Sequence, residues 1–391
     1  MDSLFAERIR DVPRSFIREI LKDALQPGAI SFAGGLPNPK LFPIDALKQA
    51  SDLAFAEYGN DLFQYSESEG FTPLRQLIVE RYRQQGLAVK LENVLITNGS
   101  QQGLDLLGKI LIDKNDALII EEPGYLGAIQ AFSLFQPKYC PVPVSEQGMN
   151  CEALAAVLKA EQAKLIYIVP NFQNPSGITY SNSNRREMAH LIEQTNCLLI
   201  EDNPYGELRF SGEHQQSFAT LLPEQCVLLG TFSKTVVPGF RLGWIVAPDR
   251  LLDKLVTAKQ AADLHTNQLV QCIVFQYLRN NSLDEHIHRI VEVYGRQKDA
   301  MITAMEKYFP ENICFTRPEG GMFLWASLPE NVSALELFHR AAKEKVLFVP
   351  GDPFYINKSN VNTLRLNFTC VDPQTIDTGI EWLGRIIRQQ S

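Results

Sequence analysis

The sequence predicts an α/β fold, a mostly parallel sheet with helices on both faces, followed by a smaller α+β unit. Two observations carry this. Continuous apolar runs at 94–97, 117–121, 138–142, 165–169, 197–201, 226–230 and 242–246 alternate with stretches of helical spacing at 126–135, 152–159 and 185–194. Runs that are apolar throughout mark strands buried on both faces, as parallel sheets with crossover helices require. The pattern then changes. Beyond about Pro248 a long helical region passes Tyr294, and strands at 346–349 and 364–368 lie between helices at 334–345 and 373–390. At 391 residues the chain exceeds one ordinary domain. The expected division is an arm and helix at 1–45 joining the small domain, a large domain at 46–285 and a small one at 286–391.

Composition narrows the function. A chain 45% hydrophobic and 21% charged is expected to be globular, and a net charge of -8 lacks the basic excess of a nucleic-acid binder. The seven cysteines are scattered and never spaced as Cys-x-x-Cys, which favours free thiols in a reducing cytosol over disulfides or a metal site. The first residues lack a signal-peptide profile, and no apolar run reaches the ~20 residues that cross a bilayer. The expected location is cytoplasmic, with no membrane contact.

The residues able to do chemistry fall at the ends of the apolar runs, where open α/β sheets bind ligands. Thr231-Phe232-Ser233-Lys234-Thr235 follows one run, and Gly239-Phe240-Arg241-Leu242-Gly243 leads into the next. A lone lysine among apolar neighbours loses hydration in its charged form, so its pKa falls and its amine becomes nucleophilic. A solvated loop lysine is the plain alternative. Asp202 ends the run 197–201 and Arg365 lies inside Thr363-Leu364-Arg365-Leu366-Asn367-Phe368. Either charge is costly to bury unpaired, although a turn-forming aspartate and a structural ion pair would also account for them. After the strand at 94–97, Asn98-Gly99-Ser100-Gln101 opens a leucine-rich helix. Such a start turns backbone N–H groups and the positive dipole end towards an anion, unless Ser100 merely caps it.

Thr231 to Lys234 with Gly239-Phe240-Arg241-Leu242-Gly243 resembles the cofactor-lysine segment of class I/II aminotransferases, fold type I enzymes that bind pyridoxal 5'-phosphate (PLP) on a seven-stranded sheet. The lysine-to-arginine gap is one residue shorter than in aspartate aminotransferases. It is similar to that of the kynurenine/2-aminoadipate aminotransferases and the MocR-type aminotransferase domains. Further motifs follow in the family's order: Ser31-Phe32-Ala33-Gly34-Gly35-Leu36-Pro37, Gln64-Tyr65-Ser66, Glu121-Glu122-Pro123-Gly124-Tyr125, Asn174-Pro175-Ser176-Gly177 and Glu201-Asp202-Asn203-Pro204-Tyr205.

The resemblance implies a role for each. Lys234 would hold the cofactor as an imine and shuttle the substrate's α-proton, with Asp202 against the ring nitrogen. Tyr205 and Asn174 would meet the ring oxygen, and Tyr125 would stack on the ring. Ser100, Gln101, Thr231, Ser233 and Arg241 would hold the phosphate, joined by Tyr65 from the partner of a homodimer. Arg365 and Asn174 would bind the substrate's carboxylate under the loop containing Gly35. Arg18, in Ser15-Phe16-Ile17-Arg18-Glu19-Ile20, matches a mobile helix arginine that pairs with acidic substrate side chains. The implied reaction is ping-pong amino exchange between an L-amino acid (2-aminoadipate, glutamate, leucine or aromatic) and a 2-oxo acid such as 2-oxoglutarate. A PLP-dependent β-lyase and a non-catalytic effector-binding protein are the alternatives. The second is disfavoured because the aminotransferase-like part starts almost at the first residue, leaving no length for a DNA-binding domain.

Overall fold

The computed structural model describes residues 4–10, 12 and 28–389. After β1 (Ile30–Ser31) come the strands of the large sheet: β2 (Val94–Thr97), β3 (Ala117–Glu122), β4 (Lys138–Ser145), β5 (Gly148–Met149), β6 (Leu165–Ile168), β7 (Leu198–Asp202), β8 (Cys226–Thr231) and β9 (Gly243–Val246). Their spatial order is β2-β9-β8-β7-β6-β3-β4-β5. Pairing is parallel from β8 across to β4, and β9 runs antiparallel to both its neighbours. The seven expected runs are all present. The eighth strand is β5, two residues that fold back on β4 as a hairpin and carry too little apolar sequence to be read as a run.

Period-two geometry explains why these strands read as continuous apolar stretches. Leu118, Ile120, Tyr167, Ile200 and Leu229 face one core, packed with the helix Ser100–Leu111. Ile119, Ile166, Ile168 and Leu199 face the opposite core with Met188 and Ile192 of the helix Asn182–Glu193. Both faces being covered, both sets are mainly apolar, and the polar groups buried with them, the Tyr167 hydroxyl and the carboxyls of Glu121 and Glu201, are hydrogen-bonded.

The later strands are β10 (Cys314–Phe315), β11 (Phe323–Ser327), β12 (Val346–Leu347), β13 (Val349–Pro350) and β14 (Thr363–Asn367). They form an antiparallel sheet in the order β10-β11-β14-β13, while β12 pairs with β1 instead. The expected single strand at 346–349 therefore breaks at Phe348, where the chain changes sheets. Phe348 is buried, with its ring edge-on to Phe338 at 5.7 Å. The long helical region resolves into Asp249–Ala262, Gln268–Asn280 and Leu283–Tyr308. Its breaks are a left-handed Leu264 (φ 66°) and side-chain caps from Asn267 and Ser282. Among the described residues no helix is long and apolar enough to cross a membrane.

One contact inside the sheet tests the packing. Gly230 of β8 is in register with Trp244 of β9, and a Cβ at Gly230 would lie 2.2 Å from the indole. Gly230→Ala is expected to cost about 1–3 kcal/mol by overpacking, read as a lower thermal midpoint. An unchanged midpoint would show that the indole can move aside.

Candidate active site

At the carboxyl ends of β7 and β8 the chain encloses a cavity of about 230 Å³. Gly35, Ser100, Gln101, Tyr125, Asn174, Asp202, Tyr205, Thr231, Ser233, Lys234, Arg241 and Arg365 all line it. These residues come from segments more than three hundred positions apart in the chain, and the fold gathers them around one space.

Three cationic side chains meet there. Lys234 Nζ donates to the Gly35 carbonyl at 2.8 Å. Burial, with the nearby guanidinium of Arg365, pushes its pKa down to about 8. Arg365, 1% exposed, donates to Asn174 Oδ1 at 2.8 Å and to the Ala33 carbonyl at 2.7 Å. Its guanidinium lies 4.4 Å from the ring centre of Phe323 and 5.3 Å from that of Phe354. No carboxylate among the described residues pairs with it, Nε has no partner there, and burial lowers its pKa to about 10. Arg241 adopts the left-handed conformation at φ 51°, and its guanidinium lies over Gly99 so closely that a Cβ there would be 2.8 Å away.

Gly99 is the N-cap of the helix Ser100–Leu111, so the helix start, the guanidinium of Arg241 and the hydroxyls of Thr231 and Ser233 converge on one end of the cavity. Those hydroxyls share a hydrogen bond of 2.9 Å. Dipole, charge and hydroxyl donors together suit a phosphate. Facing them, Asp202 is buried with Oδ2 accepting from the Tyr167 hydroxyl at 2.8 Å and Oδ1 unpartnered. Burial pushes its pKa up to about 7 against that hydrogen bond. A cation hydrogen-bonded to Oδ1 would reverse the shift. Tyr205 is buried with its ring edge-on to Phe323, and burial raises its hydroxyl pKa strongly. Tyr125 is raised to about 12 by burial and the charge of Asp202. Its ring folds back over Gly127, where a Cβ would be 2.5 Å away.

Two further expectations concern Tyr65 and Arg18. Tyr65 is 79% exposed, with its ring edge-on to His265 at 6.0 Å, and does not reach this cavity. Arg18 lies outside the described residues. Conversely, Tyr167, Phe323 and Phe354 join the site without being among the residues the sequence singles out, and Ala33 enters it through its carbonyl. Tyr167 carried the best available signal, as the one aromatic in the otherwise aliphatic β6.

The model of aminotransferase class I and II matches residues 33–383. The chain belongs to this family. It is therefore a transaminase, and the unpartnered Asp202 oxygen, the anion-seeking helix start and the softened lysine fit the family's cofactor, pyridoxal phosphate. The aminotransferase chain is 38% identical to the aromatic-amino-acid aminotransferase 1 of Thermococcus litoralis, over 100% of this chain and 95% of that one. Its fold is similar to the kynurenine aminotransferase of Pyrococcus horikoshii, solved with PMP, kynurenine as substrate and KYA as product (TM-score 0.95, 37% identity, 100% and 98% covered). It is also similar to an alpha-aminoadipate aminotransferase of Thermus thermophilus complexed with N-(5'-phosphopyridoxyl)-L-leucine (TM-score 0.93, 39% identity, 99% and 98% covered).

The lowered lysine pKa has a measurable consequence. Below about pH 8 Lys234 is mostly protonated and its amine cannot attack a carbonyl. Capture of pyridoxal phosphate by the cofactor-free protein, followed by absorbance, is expected to accelerate with pH and level off just above 8. Continued acceleration to pH 10 would mean an ordinary, solvated lysine.

Proposed function

We propose that this aminotransferase exchanges the amino group of 2-aminoadipate, glutamate, leucine or an aromatic L-amino acid with a 2-oxo acid such as 2-oxoglutarate. The observation that carries the substrate class is Arg365, a buried guanidinium with no carboxylate of its own among the described residues. Such a group is expensive until an anion arrives, and an amino acid's carboxylate matches its planar fork. The carbonyls of Ala33 and Gly35 already hold Arg365 and Lys234, so the loop at 33–37 borders the substrate.

The remaining roles follow from the donor set. Asp202 would keep the ring nitrogen protonated, while Tyr205 and Asn174 would meet the ring oxygen and Tyr125 the ring face. Ser100, Gln101, Thr231, Ser233 and Arg241 would hold the phosphate. Pyridoxal phosphate supplies an electron sink for the bond broken at the substrate's α-carbon. Lys234, with its pKa near 8, is suited to take the α-proton and return it. A two-stage exchange, with one oxo acid leaving before the next binds, accounts for the single site.

A homodimer with shared sites is part of the proposal. Phe55, Phe63 and Tyr65 are exposed large apolar residues, with Phe55 and Phe63 in mutual ring contact at 6.0 Å, and Leu264 is exposed near His265. A patch of this kind supports a protein partner. Tyr65, directed away from its own chain's cavity, would then serve the partner's phosphate. A cytoplasmic location is proposed with it, supported by buried free thiols at Cys140, Cys151, Cys197, Cys226 and Cys272.

The reaction is tested with a panel of amino donors, following the cofactor's absorbance change and the products. Matched amino-to-oxo exchange with glutamate is expected, whereas release of pyruvate and ammonia would indicate a β-lyase. Within that panel Arg18→Ala is expected to raise KM for glutamate and 2-aminoadipate by roughly tenfold and to leave leucine unchanged. Equal effects on both would remove Arg18 from the site. Tyr65 is tested by mixing subunits. A hybrid of Tyr65→Ala and Lys234→Ala chains regains activity if the tyrosine acts across the interface, because both lesions then fall in the same site. No regain would place Tyr65 outside the partner's site.

A further inference from the structure

Behind the phosphate end of the cavity sits a buried charge that the reaction does not use. Lys259, in the last turn of the helix Asp249–Ala262, is 0% exposed. Its Nζ donates to Asp263 Oδ1 at 2.9 Å and Oδ2 at 3.0 Å, to Thr266 Oγ1 at 3.0 Å and to Gln102 Oε1 at 3.2 Å. Asp263 Oδ2 also accepts from Asn98 Nδ2 at 2.6 Å and Gln102 Nε2 at 2.8 Å. Gln102 Oε1 in turn accepts from the backbone N–H of Asn98 at 2.8 Å. Apart from the arm to Thr266, the cluster thus ends on Asn98 and Gln102, the two residues that flank Gly99, Ser100 and Gln101.

The pair carries no net charge, so it adds nothing to the long-range attraction of an anion. It acts by position. A buried lysine tolerates its surroundings only while its partners stay in place, and a network whose members each satisfy several others resists displacement of any one. The turn at 98–101 is short, contains a glycine at φ 77° and has no side chain on its N-cap, so little within the turn itself fixes its direction.

We propose that Lys259 and Asp263 are positioning residues for the cofactor's phosphate, clamping Asn98 and Gln102 so that the helix start at Ser100 points into the cavity. This rests on the assignment of that helix start as the phosphate site. The clamp aims the backbone donors, and the donors bind.

The test compares two ligands on the cofactor-free full chain: pyridoxal phosphate, and pyridoxal, which lacks the phosphate. Lys259→Met and Asp263→Asn are each expected to weaken pyridoxal phosphate binding by roughly tenfold or more, with pyridoxal unchanged within about twofold. Lys259→Arg should restore part of the loss. Equal weakening of both ligands would mean general loosening of the fold and would overturn the proposal, as would no weakening of either. Should these variants not fold, Asn98→Ala cuts one arm of the clamp while leaving the buried pair intact. It must lower the same affinity ratio, and a wild-type ratio there would overturn the clamp. Wild-type protein that binds the two ligands equally well would instead sink the phosphate assignment itself.

Discussion

The cavity is built around charges that the surrounding residues do not neutralise. Arg365 sits against the rings of Phe323 and Phe354 and, among the described residues, has only an amide and a carbonyl to accept from it. Asp202 has one oxygen satisfied and one not. Taken alone each is a liability of several kcal/mol. Under the proposed roles they are complementary to an amino acid and a protonated ring, since the ligand would bring the missing anion to Arg365 and the missing cation to Asp202. Binding energy that would otherwise have been used within the fold is held for the ligand. Stability should accordingly rise on binding, because only the folded chain offers these unmatched charges.

Topology explains why such charges can be held at all. A parallel sheet covered on both faces ends all its strands at one edge, and only there does the chain leave the core with its backbone donors released. Asp202 is the last residue of β7, and Lys234 follows β8 by three residues. The antiparallel return through β9 brings Arg241 back over the start of the helix at Ser100. Close approach is required on both sides. A Cβ at Gly243 would lie 2.8 Å from the Ser100 nitrogen, and one at Gly99 would meet the Arg241 guanidinium. Gly99 and Gly243 therefore make the space in which the helix start meets Arg241.

How much of this was legible in the sequence depends on whether a residue's role is local. Lys234, Asp202 and Arg365 could be singled out because each interrupts or ends an apolar run, a local conflict between burial and charge. Phe323 and Phe354 could not, because an aromatic in an apolar strand or turn looks like any core residue until the arginine is seen between the two rings. Tyr167 lies 35 residues from the aspartate it supports and meets it only because β6 and β7 are neighbours. The division of 346–349 into two strands was hidden for a similar reason, as nothing in Val346-Leu347-Phe348-Val349 says that its partners belong to different sheets. Lys259 has no signal of its own in the sequence, because a lysine near a helix C-terminus is ordinarily a solvated dipole partner. Its burial is a property of the turn it packs against, not of its own helix.

That turn also connects the two halves of the proposed dimer site. Just beyond Asp263, His265 carries the edge contact to Tyr65, and Gln271 donates to the Thr266 carbonyl while accepting from the backbone of Phe71. The link at 263–267 is thus fixed on one side to the turn at 98–102 and on the other to the loop that carries Tyr65 and Phe71. Under the proposed dimer, ordering this link for a phosphate also orders the Tyr65 loop for the neighbouring subunit, with the ordering cost met once for two contacts. Reciprocity then requires that subunit association favour cofactor binding as strongly as the cofactor favours association.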